Sequence, residues 1–199
     1  AFWAAVDAAH PEKIMAATLP PRPEGLAYVF AVGKAAIPMA QQVETLWGGE
    51  LQGMVIAPHG TDGRLSSLEL RTAAHPFPDA AGAVSASAFL AALQAVPPGR
   101  EVLFLLSGGA SSLLLATEGG LAPDVLKQAT KALLNGGADI HALNTVRRVL
   151  SPLRSVPLIS MRPSGLPYNR RNWLSSSSHE TQMASAQWMI CASARSRHS

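Results

Sequence analysis

An α/β fold is what this sequence predicts: a mostly parallel sheet with helices on both faces, in three layers. Three observations carry that prediction. The segments "LAYVFAVG" (26–33) and "EVLFLLSGG" (101–109) are short, nearly unbroken apolar runs that end in glycine, the pattern of strands buried on both faces. Segments with helical spacing alternate with them, which is the order of a parallel sheet with crossover helices. The chain has 199 residues, of which 48% are hydrophobic and only 15% charged, enough for one full core and too apolar for disorder.

The leading segment "AFWAAVDAAHPEKIMAA" has helical spacing, with Pro11 either tolerated or splitting it into two pieces. "LPPRPEG" is a proline-rich connection to the first strand. After Gly33, "KAAIPMAQQVETLW" reads as a helix, "LQGMVIAP" as a second strand and "HGTDGR" as the turn that closes it. "LELRTAAHPFPDA" is a strand entering a proline-rich loop, and "AGAVSASAFLAALQAV" a helix ended by the turn "PPGR". Beyond the strand at 101–109 come a helix from Ser111, another around "APDVLKQATKALLNGG", and a last periodic segment, "DIHALNTVRRVLSPL".

No apolar run reaches the ~18 residues that a membrane-spanning helix needs. The N-terminus has no basic stretch before an apolar one, so it reads as an amphipathic helix and not as a signal peptide. Cys191 is the single cysteine, which leaves no intramolecular disulfide and makes the cytoplasm the expected location. The formal charge of +3 is unevenly spread. From Ser155 to Ser199 there are five arginines, one glutamate and eleven serines, with no lysine and no aspartate. The basic balance belongs to this tail and does not argue for a nucleic-acid surface on the domain before it, so no nucleic-acid partner is expected. The tail has no sustained period and reads as poorly ordered, which places a boundary at residue 154.

In open parallel sheets ligands sit at the carboxyl ends of the strands, and two glycine-bearing motifs lie at such ends. In "FAVGKAA", Lys34 follows strand and glycine, so that its ammonium could neutralise an anion held at a helix N-terminus; a solvated surface lysine is the plainer reading. The motif is not a Walker A loop, which would place glycine at Tyr28 and a hydroxyl at Ala35, and no GxGxxG dinucleotide fingerprint occurs. In "SGGASS", Ser107, Gly108, Gly109, Ser111 and Ser112 offer backbone amides and hydroxyls to a phosphate or carboxylate; a serine-capped turn is the alternative. A serine nucleophile lacks its GxSxG elbow. His75 and Asp79, stiffened by Pro76 and Pro78, are candidates for a general base or a metal ligand, or for a loop held by local hydrogen bonds. Asn144 and Arg147 lie three apart on one helical face, suited to a carboxylate or to a simple surface pair. The histidines show no mutual metal-ligand spacing.

Taken in order, "AFWAAVDAAHPEKIM", "VFAVGKAAIPMAQQVE", "LQGMVIAPHG", "AAHPFPDAAGAVSASAFL", "LFLLSGGASSLL" and "LLNGGADIHALNTVRRVLSPL" resemble the bacterial and archaeal glycerate 2-kinases. Some members of that class are labelled hydroxypyruvate reductase, and the family ends in a MOFRL domain. The resemblance covers about residues 1–154, the MOFRL-associated N-terminal domain, and implies a Rossmann-like sheet that is incomplete relative to the family. It implies ATP-dependent phosphorylation of D-glycerate on its 2-hydroxyl to 2-phosphoglycerate, with Mg2+. Lys34 would act at the active site, with the Ser107–Ser112 loop against phosphate or the glycerate carboxylate and Asn144 and Arg147 reaching the same cleft. The implied partners are a small hydroxy acid and a second copy of the chain, with neither nucleic acid nor membrane among them. A hydroxypyruvate reductase using NAD(P)H, and an inactive fragment that at most binds an anion, are the competing readings. The sequence departs from the family at Ala110, Ser112, Arg148 and Val149, and the double glycine expected after Arg154 is missing. Truncation or a reading-frame shift near Arg154 is therefore the expectation for 155–199.

Overall fold

The structure, a computed structural model, describes residues 2–77, 79–114, 123–139, 141–142, 145 and 189–192. Two short helices lead, α1 (Phe2–Ala8) and α2 (Pro11–Thr18). The break falls at Pro11, which lacks an N–H and sits where a helix begins most easily; the His10 ring caps α2, accepting from Glu12 N at 3.4 Å. Then follow β1 (Ala27–Val32), α3 (Ala36–Trp47), β2 (Leu51–Pro58), β3 (Glu69–Ala73), α4 (Ala80–Gln94), β4 (Val102–Leu106), α5 (Ala110–Leu113), α6 (Pro123–Asn135) and β5 (Met189–Ala192). The sheet order is β3-β2-β1-β4-β5. The first four strands are parallel, and β5 lies antiparallel on β4. The four residues of β5 come from the Ser/Arg-rich tail, where the run Met189-Ile190-Cys191-Ala192 is too short to stand out as a period.

β1 is central and buried along its whole length. Because side chains alternate across a strand, its unbroken apolar run supplies two cores at once. Val29 and Ala31 face one core with Met15 of α2 and with Ile37, Ala40 and Val43 of α3. Tyr28, Phe30 and Val32 face the other, with Phe89 and Leu93 of α4. Phe30 and Phe89 meet edge-to-face, their ring centroids 5.1 Å apart, the favoured geometry for aromatic pairs. The result is the expected three-layer α/β sheet.

The β2–β3 crossover contains no helix. Its chain is held by Glu44 of α3, whose carboxylate accepts from the backbone N–H groups of Ser66, Ser67 and Leu68 at 2.8–3.2 Å. A ring of amides around one carboxylate satisfies donors that a helix would otherwise have satisfied internally. The crossover then lies against α3, with Leu65 on that core and Gln41 Nε2 donating to Arg64 O at 3.1 Å.

Truncating Phe89 removes the aromatic partner of Phe30 from a fully buried site. Phe89→Ala should lower unfolding free energy by about 3–5 kcal/mol, read from urea denaturation; a loss within experimental scatter would mean that α4 does not form the second layer.

Candidate functional site

β1 and β4 are neighbours, but the chain leaves them on opposite sides of the sheet. After β1 it enters α3, which packs on one core, and after β4 it enters α5, whose Leu113 packs on the other. This is a topological switch point, where open α/β sheets form a ligand crevice. Both glycine motifs singled out from the sequence flank it.

The two strand ends are joined directly. Ser107 N donates to Val32 O at 3.0 Å, Lys34 N to Gly108 O at 2.9 Å, and Ala35 N to Ser107 Oγ at 3.0 Å. Gly33 makes room for this contact. A Cβ there would stand 2.0 Å from Ser107 Oγ and 2.7 Å from its carbonyl oxygen, and its φ of +134° is one that side chains rarely adopt. α3 therefore begins at Ala36, two residues later than its sequence pattern suggested, and Lys34 sits in the turn before it. The amides ahead of α3 that an anion might have used are taken by the Ser107–Gly108 turn.

Lys34 itself is exposed and makes no ion pair among the described residues. Ser107 and Ser112 are buried, and both hydroxyls have internal partners: Ser107 Oγ accepts from Ala35, and Ser112 Oγ donates to Gly109 O at 2.8 Å. What the turn leaves for a ligand is its backbone. Gly108 is exposed, with nothing within 4 Å of the place where a Cβ would project. Among the described residues no carbonyl accepts from the N–H of Gly108 or Gly109. α5 has only four residues, so its dipole adds little, and the amides themselves are what a bound anion would meet. Ser111 lies in α5, and its side chain is outside what the structure describes. Asn144 and Arg147 lie outside the described residues altogether.

His75 comes to this wall from the β3–α4 loop. A Cβ on Gly109, whose φ is +87°, would stand 2.7 Å from His75 Nε2 and 3.5 Å from Lys34 Cγ. The imidazole and the lysine stem thus flank one glycine, and only glycine fits between them. Asp79 lies at the far end of the loop and is committed to structure. It caps α4, its Oδ1 accepting from Gly82 N at 2.8 Å and from Ala74 N at 3.2 Å, while its Oδ2 takes His59 Nε2 at 2.9 Å. Burial alone would raise the carboxyl of Asp79 above its ordinary 3.8; the hydrogen bonds from His59, Gly82 and Ala74, with the attraction of the His59 ring, outweigh it and hold the value lower. His59 is the residue that sequence reasoning missed. The only signal for it was its place directly after β2, at the same end of the sheet as the two motifs. Among the described residues no group of three His, Cys, Asp or Glu side chains is arranged to hold a metal ion.

Two outcomes follow from this geometry. Gly33→Ala should destabilise the chain by about 1–3 kcal/mol from the backbone alone, whereas Gly108→Ala should stay within about 0.5 kcal/mol; equal effects in denaturant melts would contradict the strand-end junction. Because the folded-state value of Asp79 lies below 3.8, its stabilisation is complete above 3.8 and is lost as the pH falls through the lowered value. The stability gap between wild type and Asp79→Asn should accordingly be full at about pH 5 and narrow as the pH falls below 3.8; a gap that does not narrow in acid would contradict the charge-based origin.

The model of the family described as "Domain of unknown function (DUF4147)" matches residues 1–161. An Agrobacterium vitis relative with a provisional hydroxypyruvate reductase name is 36% identical over 154 residues, covering 77% of this chain and 35% of that protein. A Pyrococcus horikoshii protein named glycerate 2-kinase is 35% identical over 138 residues, covering 69% of this chain and 31% of its own length. Among solved structures, a glycerate kinase from Thermotoga maritima superposes with a TM-score of 0.66 at 32% identity, over 76% of this chain and 37% of its own. A Pyrococcus horikoshii structure gives 0.71 at 29% identity, over 81% and 40%. The chain spans about a third of the length of the curated relatives it matches. With four parallel strands in the same α/β arrangement and a family match across most of its length, the chain belongs to the DUF4147 family.

Proposed function

We propose that this chain forms one wall of a phosphoryl-transfer site of the glycerate 2-kinase type, serving ATP-dependent phosphorylation of D-glycerate at its 2-hydroxyl to give 2-phosphoglycerate. The observation that carries the reading is the convergence of Lys34 and the Ser107–Gly109 turn at the β1/β4 switch point. Phosphoryl transfer asks mainly for positioning and charge neutralisation. The free side of Gly108 and the amides of Gly108 and Gly109 suit phosphate or carboxylate oxygens, and the exposed ammonium of Lys34 supplies the positive charge. Asn144 and Arg147 belong to the same reading as partners for a carboxylate. Ser107 and Ser112 act by holding the turn, and Ser111 stays among the candidates for contact.

ATP and Mg2+ fit this wall in a particular way. With no three-residue ligand group among the described residues, the ion would arrive on the nucleotide phosphates, the usual habit of Mg2+ in phosphoryl-transfer sites. Bound there it neutralises charge on the transferring group. The setting that goes with this reading is the cytoplasm, with a small hydroxy acid as partner, a homodimer as the further association, and no nucleic acid or membrane. Among the described residues no helix is long and apolar enough to cross a membrane.

The test is ligand-dependent thermal stability, run with ATP–Mg2+ and with D-glycerate. At a hundredfold excess over Kd, a ligand should raise Tm by about 5–10 °C. Lys34→Ala should weaken ATP–Mg2+ binding by about 10- to 100-fold, the size of a lost charge-assisted contact. No shift with either ligand would sink the kinase reading and leave an inert fragment. The reductase name of one relative motivates a second arm: NADH oxidation by hydroxypyruvate, without D-glycerate-dependent ATP consumption, would replace the kinase reading with that one.

A further inference from the structure

The loop that brings His75 to the Gly109 turn is closed at its base by a small network. The His59 backbone N–H donates to Ala73 O at 3.0 Å, fixing the residue beside the end of β3. Its ring then spans two elements, with Nδ1 2.9 Å from Thr72 Oγ1 and Nε2 2.9 Å from Asp79 Oδ2. A carboxylate only accepts, so Nε2 carries the hydrogen; in the neutral ring Nδ1 is then the acceptor for the Thr72 hydroxyl. The other oxygen of Asp79 takes the N–H of Ala74 at the start of the loop and of Gly82 inside α4. One carboxylate therefore ties both ends of the 74–79 segment to β2, β3 and α4 together.

That closure bears on the site because little space is left at its apex. The His75 ring lies where a Cβ on Gly109 would collide, and Lys34 Cγ lies on the same glycine. A shift of the loop by the width of a hydrogen bond would carry the imidazole off the Gly109 turn. Gly82 sharpens the constraint: a Cβ there would stand 3.1 Å from Asp79 Oδ1 and 3.3 Å from the Ala73 side chain, so α4 is seated close against the network.

We infer that His59 and Asp79 are positioning residues that hold His75 against the Gly109 turn, and so set the shape of the wall on which Lys34 and the glycine amides act. As a statement about ligand capture this rests on the proposed function; as a statement about the placement of His75 it does not. Neither residue touches the ligand in this account. The network acts through the loop, and its loss alters the wall while leaving the sheet in place.

The experiment uses the full chain, isotopically labelled, with the His75 ring signals and the Gly109 amide signal read by NMR. The variants are His59→Ala, Asp79→Ser and, as a control, Glu44→Gln. Serine still caps α4 but is too short to reach Ala74 and His59 as well. Glu44→Gln weakens a different carboxylate-to-backbone network, in the β2–β3 crossover. The expected result is that His59→Ala and Asp79→Ser move the His75 and Gly109 signals while Glu44→Gln leaves them in place. ATP–Mg2+ affinity should fall about tenfold in the first two variants only, the equivalent of one charged hydrogen bond. Unmoved His75 and Gly109 signals in both variants, or equal movement in the control, would overturn the positioning role. Signals that move as expected in a chain that does not bind ATP–Mg2+ would remove the proposed function and leave the positioning role standing.

Discussion

The junction of β1 with β4 at the carboxyl end of the sheet turns on one side-chain hydrogen bond and one missing side chain. Ser107 Oγ accepts from Ala35 N, and Gly33 has no Cβ to prevent it. The backbone bonds from Ser107 N to Val32 O and from Lys34 N to Gly108 O run beside this contact, and the two turns beyond the strands lie side by side. With it, the chain leaving β1 and the chain leaving β4 are fixed at their first residues, before either departs for its own face of the sheet. A crevice between parallel strands is a general property of the topology. A crevice with Lys34 on one lip and, on the other, the Gly108 and Gly109 amides that no carbonyl of the described residues takes depends on this junction.

Carboxylates hold the backbone of the two loops that flank β3. Glu44 gathers three consecutive amides in the β2–β3 crossover, and Asp79 gathers Ala74, Gly82 and His59 at the base of the next loop. In both cases an acceptor with two oxygens satisfies backbone donors that have no ladder to join. Apolar strands and helices set the sheet, Leu65 and Leu68 anchor the crossover on its core, and the two carboxylates satisfy the irregular backbone beside them. The lowered pKa of Asp79 is the electrostatic trace of that role.

The strands were legible because Ala27–Val32 is buried on both sides and Val102–Leu106 packs apolar side chains on both, and such packing writes an unbroken apolar run into the sequence. The glycine-bearing strand ends were legible for equally local reasons, while at Pro11 the sequence left a continuous helix and a split both open, and the structure takes the split. Partnership was not legible. Glu44 and Ser66 are 22 residues apart, and His59 and Asp79 are 20 apart; no periodicity marks such pairs. The hydroxyls of Ser107 and Ser112 suggest ligand donors in the sequence, yet each is turned to a backbone group, because a buried hydroxyl at a tight turn finds its nearest neighbour first. The late start of α3 has the same origin, since the amides preceding it are engaged by the facing turn. The four residues of β5 gave no signal of their own and are defined by their neighbour β4.

The junction of Ala35 with Ser107 also has a consequence for the order in which the molecule is built. It closes a loop of 72 residues, whereas the Glu44 contact with Ser66 closes one of 22. The longer closure carries about 1 kcal/mol more of chain entropy, and non-local pairings of this kind are reached late in folding. On chain entropy alone, the β1–β2–β3 half with its carboxylate-held crossover is expected to close before β4 joins the opposite edge of β1. By that ordering the turns beyond β1 and β4 meet after the shorter closures have formed, so the strand-end junction is a late feature of the sheet.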